Sequence, residues 1–257
     1  AKRKRNSMLL LHLAPSLAVT TPSARAALLQ ALPANRGFFA SRTERKLVAD
    51  CISTLVNTVP GPSSLAGQID GSWELLYTDA PDITSLDSSP FNSLSRVGQL
   101  INEEEALVTN VIEYKPASWA TSLLKVGADD LVQQRVILSY AYSAARPTVC
   151  ELSLRGTGIK LRRVLGIDFT SAVQPIKLVG PLSLPFGSFE VIYCEPPSGA
   201  LIETEQCVME GLASNSGGAS NAVECVEEGL AIRIVRTQQG YISINRRMPS
   251  GKGWDDV

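Results

Sequence analysis

At 257 residues with 44% hydrophobic content, the chain is long enough to bury a proper core in one domain with appendages. Its formal charge of −1 is unevenly placed: residues 1 to 48 hold nine Lys or Arg against Glu44 alone, a surplus of +8 that leaves −9 on residues 49 to 257. So acidic a body excludes charge-driven binding of nucleic acid, which needs a basic surface. Five cysteines, Cys51, Cys150, Cys194, Cys207 and Cys225, are odd in number and have no Cys-x-x-Cys spacing. They suggest neither a zinc ribbon nor a disulfide framework and read as incidental thiols, with a redox-sensitive Cys207/Cys225 pair as the alternative.

Residues 1–22 read as a targeting presequence. The basic run Lys2 to Arg5 precedes a short apolar segment, Leu9 to Ala18, that Pro15 breaks and that is too short to span a bilayer. A helical segment over 23–60 follows. Ser23 is placed to cap a helix from Ala24 to Ala31, Asn35-Arg36-Gly37 makes a turn, and Ser41-Arg42-Thr43-Glu44 is a capping box. The helix after that box carries Leu47, Val48, Cys51, Ile52, Leu55 and Val56 as one apolar stripe, and Pro60-Gly61-Pro62 stops it.

From residue 68 to 247 the pattern is strands. Asp70 to Thr78 alternates, with Trp73, Leu75 and Tyr77 on one face. Asp79 to Ser95 reads as a polar loop, because Pro81 and Pro90 argue against a central strand. Val97 to Ile101 is a short strand or turn, Ala106 to Tyr114 is a strand, and Trp119 to Val126 is ambiguous. Leu131 to Ser143 puts Val136, Leu138, Tyr140 and Tyr142 on one face. Thr148 to Leu154 and Ile159 to Val164 read as a hairpin across Gly156-Thr157-Gly158, its second arm charged by Lys160, Arg162 and Arg163. Ile176 to Pro185 reads as a loop crossing an apolar surface. Ser188 to Cys194 keeps Phe189, Val191 and Tyr193 in phase, and Leu230 to Arg236 with Tyr241 to Asn245 forms a closing hairpin. About eight strands at short spacing predict a mainly β chain, a meander closed into a barrel behind two helices.

Between the last strands lies an acidic insertion, 196–228, with six Glu and no Lys or Arg. It reads as a solvated insertion, with a partner-binding acidic arm as the alternative. Residues 248–257 form a tail. His12, the only histidine, lies in the presequence, so histidine-based triads and histidine-ligated metal sites have nothing to use. No phosphate loop or dinucleotide fingerprint is present, and no cofactor is expected. Cofactor-free chemistry using Glu, Tyr and Arg stays open.

Several stretches carry a family resemblance. Arg25-Ala-Ala-Leu-Leu-Gln-Ala-Leu, Asn35-Arg-Gly, Ser41-Arg-Thr-Glu-Arg and Asp70-Gly-Ser-Trp-Glu-Leu-Leu-Tyr-Thr, in that order, resemble the amino-terminal half of the plastid lipid-associated protein (fibrillin) family. Val97-Gly-Gln-Leu-Ile, Val108-Thr-Asn-Val-Ile and Leu184-Pro-Phe-Gly-Ser-Phe-Glu-Val-Ile-Tyr resemble its internal strands, and Leu230 to Ile242 its closing hairpin. The chain departs from the family in the acidic insertion and in the turn after Arg236, where Thr237-Gln238-Gln239 replaces Arg-Gly-Asp.

The resemblance implies a lipocalin-like antiparallel barrel in plastids, at thylakoids or plastoglobules. It implies a non-enzymatic protein that binds or carries a hydrophobic small molecule such as a prenylquinone, carotenoid or fatty acid. The alternatives are a structural coat of lipid globules, with the loop Ile176 to Phe186 as its exposed apolar surface, and a cofactor-free barrel enzyme on a lipophilic substrate. By strand phase, Trp73, Tyr77, Leu138, Tyr140, Tyr142, Phe189, Val191 and Tyr193 are the candidate cavity residues. The Gly71-x-Trp73 opening resembles the lipocalin closure signature, which implies a late-strand arginine over the indole. Arg233 and Arg236 are the candidates.

Overall fold

The computed structural model describes residues 23–59, 61–86, 92–117, 119, 131–164, 167–168, 176–196, 230–249 and 253–254. The presequence with His12, the 120–126 part of the ambiguous segment, Pro90, and the acidic insertion after Pro196 with Cys207 and Cys225 lie outside the described residues.

Two helices lead. In α1 (Ala24–Ala31) the Ser23 hydroxyl accepts from the Ala26 amide; in α2 (Arg42–Thr58) Ser41 and Glu44 complete the capping box in both directions. Such caps contribute about 1 kcal/mol each by satisfying amides that the helix leaves free. The strands are β1 (Gly71–Thr78), β2 (Asn92–Asn102), β3 (Leu107–Pro116), β4 (Leu131–Tyr142), β5 (Val149–Val164), the two-residue β6 (Ile167–Asp168), β7 (Ile176–Cys194), β8 (Ile232–Thr237) and β9 (Ile242–Arg247). A single turn, α3 (Pro81–Thr84), follows β1.

All pairings are antiparallel and, β6 aside, join neighbours in the chain; β9 returns to β1. Eight strands thereby form one barrel-like ring, and β6 adds only to β5. A closed ring has no free edge and gives every residue of a strand an inner or an outer position. One end, here the lower, carries Gly71, Asn102, Leu107, Tyr142, Val149, Cys194 and Arg247; the upper end carries Thr78, Pro116, Leu131, Ile176 and Thr237.

The inner surface holds two apolar clusters. The lower contains Trp73, Ile101, Val108, Leu138, Tyr140, Cys150, Phe189, Val191 and Val235, plugged from below by Leu65 and Ile69. The upper joins Leu75, Val97 and Ile112 to Ile83 of α3. Outside, Leu28, Val48, Ile52 and Leu55 of the helices pack on Tyr77, Tyr193, Ile232, Ile234 and Ile244. The helices therefore cover the outer face of β1, β7, β8 and β9 and leave the barrel interior free.

Several sequence expectations change. β5 is one strand, not a hairpin: Gly156 and Gly158 sit inside the ladder opposite Ile137 and Arg135, and the irregularity is a bulge at Arg155. Glycine in a strand often marks such a bulge or a close backbone approach. Ile176 to Pro185 is not a loop but the first half of β7, paired to Ile159 through Gly156 and again from Leu154. A wide irregularity between Val179 and Leu184 takes up Gly180 and Pro181, the residues that spoil a regular ladder. The polar loop after β1 ends earlier than its prolines suggest, because β2 begins at Asn92 and runs eleven residues.

Candidate functional site

The floor of the barrel is built on Trp73. The indole is fully buried and its Nε1 donates to the Ile69 carbonyl at 2.8 Å. Arg233 and Arg247 both stack on the ring, with guanidinium carbons 4.5 and 4.7 Å from its centroid. Desolvated contacts of this kind contribute about 2 kcal/mol. Gly71 has φ of +100°, and a β-carbon there would lie 3.2 Å from Nη1 of Arg247, so the turn into β1 needs glycine.

Arg233 is 0% exposed, and its Nη2 donates to the Gln99 side-chain oxygen. Its Nε and Nη1, and Nε of Arg247, have no hydrogen-bond partner among the described residues. Burial lowers the Arg233 pKa to about 10, Arg247 adds to the lowering, and Cys194 and Cys150 oppose it. Burial also raises the Cys150 thiol to about 12 and the Cys194 thiol upward, which keeps both protonated and unreactive at neutral pH.

Above the floor the interior becomes polar. Gln99 lies between Ile101 and Val97 on the inner face of β2, and Asn110 between Val108 and Ile112 on β3; the Gln99 amide donates to Asn110 at 3.0 Å. Both are only partly buried although they face inward. Close-packed side chains therefore do not fill the barrel at this level.

The wall made by β4, β5 and β7 is where the interior opens. Val136, Leu152 and Leu154 pack against the lower cluster but stay partly exposed. Directly opposed residues share a face. Gln134 opposes Ile159, Val136 opposes Thr157, and Leu154 opposes Leu184, so all six face inward. Ile159 is 52% exposed and Leu184 55%, and Phe186 in the neighbouring β7 irregularity is also exposed. Apolar residues this exposed on the inner surface of a barrel form an open apolar wall above a sealed floor.

Of the eight cavity candidates, the structure brings Trp73, Leu138, Tyr140, Phe189 and Val191 together in the lower cluster. Tyr142 lies at the lower rim, its ring edge-on to Tyr140 at 5.4 Å and its hydroxyl donating to Glu103. Tyr77 and Tyr193 are outside, under the helices. The register shifts between Leu75 and Tyr77 in β1, and between Val191 and Tyr193 in β7. Each bulge inserts one residue and moves the following side chain to the opposite face. Arg236 is on the outer side, half exposed and 4.0 Å from Glu190.

Two residues escaped the sequence reading. Arg247 directly opposes Trp73 across the β1–β9 closure, a pairing that follows only once the last strand is joined to the first. Trp254, in the tail, is fully buried on the outer face with Val111 and Met248; its Nε1 donates to the Gln99 carbonyl, and Arg96 stacks over it at 4.9 Å. Gly98 makes room for it, since a β-carbon there would collide with both Trp254 and the Trp73 carbonyl oxygen. Near the lower end, a surface depression of about 630 Å³ is lined by Gly67, Asp70, Gly71 and residues 100–104. Its rim includes Asp70, Glu103 and Glu104, which suits a hydrophobic molecule poorly, and it lies apart from the open wall.

No group of three or more His, Cys, Asp or Glu is placed to hold a metal ion among the described residues, and none of their helices is long and apolar enough to cross a membrane. Searches of curated proteins and of solved structures found no match. A family model described as PAP_fibrillin matches residues 23–194, from the cap of α1 to the end of β7. The match takes in both helices, the Trp73 strand and the open β4–β5–β7 wall, and the chain therefore belongs to the plastid lipid-associated protein (PAP)/fibrillin family.

Proposed function

We propose that this protein binds and carries a hydrophobic small molecule inside its barrel, with the ligand lying against the β4–β5–β7 wall above the Trp73 floor. The observation that carries this reading is the pair of inward-facing apolar residues, Ile159 and Leu184, each more than half exposed; Leu184 directly opposes Leu154, which packs on the buried lower cluster. Covering such surface stabilises a complex by about 25 cal/mol per Å². Gln99 and Asn110 add polar contacts in the middle of the interior, the mixture typical of small-molecule sites. Prenylquinones, carotenoids and fatty acids all suit an elongated apolar wall, and thylakoids or plastoglobules are where the protein would meet them. The reaction-free reading needs no cofactor, and the two buried thiols near Arg233 are held protonated rather than activated.

The test is direct. Full-length protein purified without detergent should release a hydrophobic molecule into solvent, identified by mass spectrometry; extracts matching those of a control protein would overturn the proposal. A coat function is the second reading, favoured by exposed Leu184 and Phe186 within the stretch 176–186. It predicts flotation with lipid droplets that persists after Val136→Trp narrows the interior, whereas a carrier would lose its ligand.

A further inference from the structure

The most exposed large apolar side chain among the described residues is Phe39, at 86%. It also has φ of +61°, a left-handed backbone that a bulky L-residue adopts only at a cost. A phenylalanine held in strain and in water contributes little to the folded chain. Its turn is rigidly placed: the Thr78 amide donates to the Arg36 carbonyl at 3.0 Å, Arg36 Nη2 donates to the Ser95 carbonyl at 2.9 Å, and Gly37 is pressed on the Thr78 carbonyl and the Tyr77 ring. Thr78 ends β1 and Ser95 lies near the start of β2, so Phe39 sits at the upper end of the barrel. That is the end toward which the apolar inner wall opens at Ile159.

The charge along the chain around it is mainly basic, although Asp79, turned onto the Ile242 amide at 2.7 Å, and Asp82 of α3 stand at the same end of the barrel. Arg36, Arg42, Arg45 and Lys46 flank Phe39 against Glu44, whose carboxylate is turned back onto the Ser41 amide at 2.7 Å. Lys46 pairs with Asp50, while Arg42, four residues away on the same face of α2, makes no ion pair among the described residues. Leu47, on the second turn of α2, is half exposed as well. This basic strip stands on a chain whose residues from 49 onward carry −9. One protruding aromatic ring within a basic strip is complementary to an anionic membrane surface, where the ring enters the headgroup layer and the cations meet lipid phosphates.

We propose that the Phe39 turn and the first two turns of α2 dock the upper end of the barrel on an anionic lipid bilayer, bringing the open wall to the membrane from which a ligand would be loaded. The purpose assigned to docking rests on the carrier reading; the docking itself does not. The experiment is co-sedimentation of the full-length chain with phosphatidylcholine vesicles, with and without phosphatidylglycerol. Binding is expected only with the anionic lipid and should weaken as salt rises. Phe39→Gly should weaken it about tenfold or more, and Arg42→Glu by about fivefold per unit of charge changed. Because glycine accepts the positive φ, Phe39→Gly should unfold no earlier than the parent, which separates lost docking from lost folding.

The proposal is overturned if the parent does not bind anionic vesicles, if Phe39→Gly binds them as well as the parent, or if Phe39→Gly dissociates an oligomer, which would assign the ring to a protein interface. Co-purified lipid is a separate readout. A parent that binds vesicles but carries no ligand sinks the carrier reading and leaves the docking intact.

Discussion

At the lower end of the barrel, Trp73 is buried against two guanidinium groups and plugged by Leu65 and Ile69; at the upper end, Ile159 on the same inner surface stands half in water. Both ends use alternating strands with apolar residues turned inward, so the pattern alone does not explain the difference. The lower end completes its packing at the cost of a desolvated, incompletely hydrogen-bonded arginine. The upper end leaves apolar area uncovered. Buried polar strain at the floor is the cost of closing the barrel, whereas uncovered apolar area at the top gives the closed barrel nothing unless something else covers it.

If the floor is structural, its variants must fail in stability before they fail in binding. Trp73→Ala should have the largest effect, about 3–5 kcal/mol, because it empties the centre of the lower cluster and strands both cations. Urea denaturation measures it. A loss below about 1 kcal/mol would mean that the floor does not hold the barrel closed.

Arg233 separates packing from charge. Arg233→Ala leaves a cavity beside the indole and should cost about 2–4 kcal/mol. Arg233→Met keeps most of the volume and removes a buried cation with two unpartnered nitrogens, so it should cost less than half as much. Equal losses in the two variants would show that the guanidinium charge, not its bulk, secures Trp73.

Alkaline titration gives a smaller effect with a fixed sign. Cys150 has its pKa raised by burial from 9.0 to about 12, so the folded chain holds the thiol proton after the unfolded chain has lost it. This stabilising contribution is complete below pH 9.0 and declines as pH rises from there toward about 12. The slope approaches about 1.4 kcal/mol per pH unit. Cys194 is shifted in the same direction, so Cys150→Ala should reduce the slope without abolishing it. A slope identical to the parent's would mean that water reaches the floor.

The two ends also differ in how far the sequence disclosed them. Gly71, Trp73 and the capping box were legible because each is a local signature: a turn, an alternation, a reciprocal pair of caps. The exterior placement of Tyr77 and Tyr193 was not, since a single bulge residue in β1 and in β7 reverses every side chain beyond it and leaves no mark in an alternating pattern. Arg247 was hidden because its partner is 174 residues away and becomes its neighbour only when the ring closes. The open wall was harder still. Gly156-Thr157-Gly158 and Gly180-Pro181 read locally as turns, and only the β5–β7 pairing turns them into irregular stretches of two long strands. The dihedral strain at Phe39 has no sequence signal, because the positive φ is imposed by where the turn docks on Thr78.

The smallest expected effect on stability is the most informative about function. Ile159 and Leu184 are already more than half exposed, so Ile159→Asp and Leu184→Asp remove little buried area. Each should shift unfolding by less than about 1 kcal/mol, the range of strand propensity. Yet each puts a carboxylate on the inner wall where an apolar ligand would lie, and leaving that charge uncompensated beneath a bound ligand should lower the amount of co-purified ligand about tenfold or more. A floor variant such as Arg233→Ala should show the reverse: lower stability, with ligand retained in proportion to the folded fraction. Wall variants that unfold the barrel, or floor variants that empty it without unfolding it, would exchange the roles of the two ends.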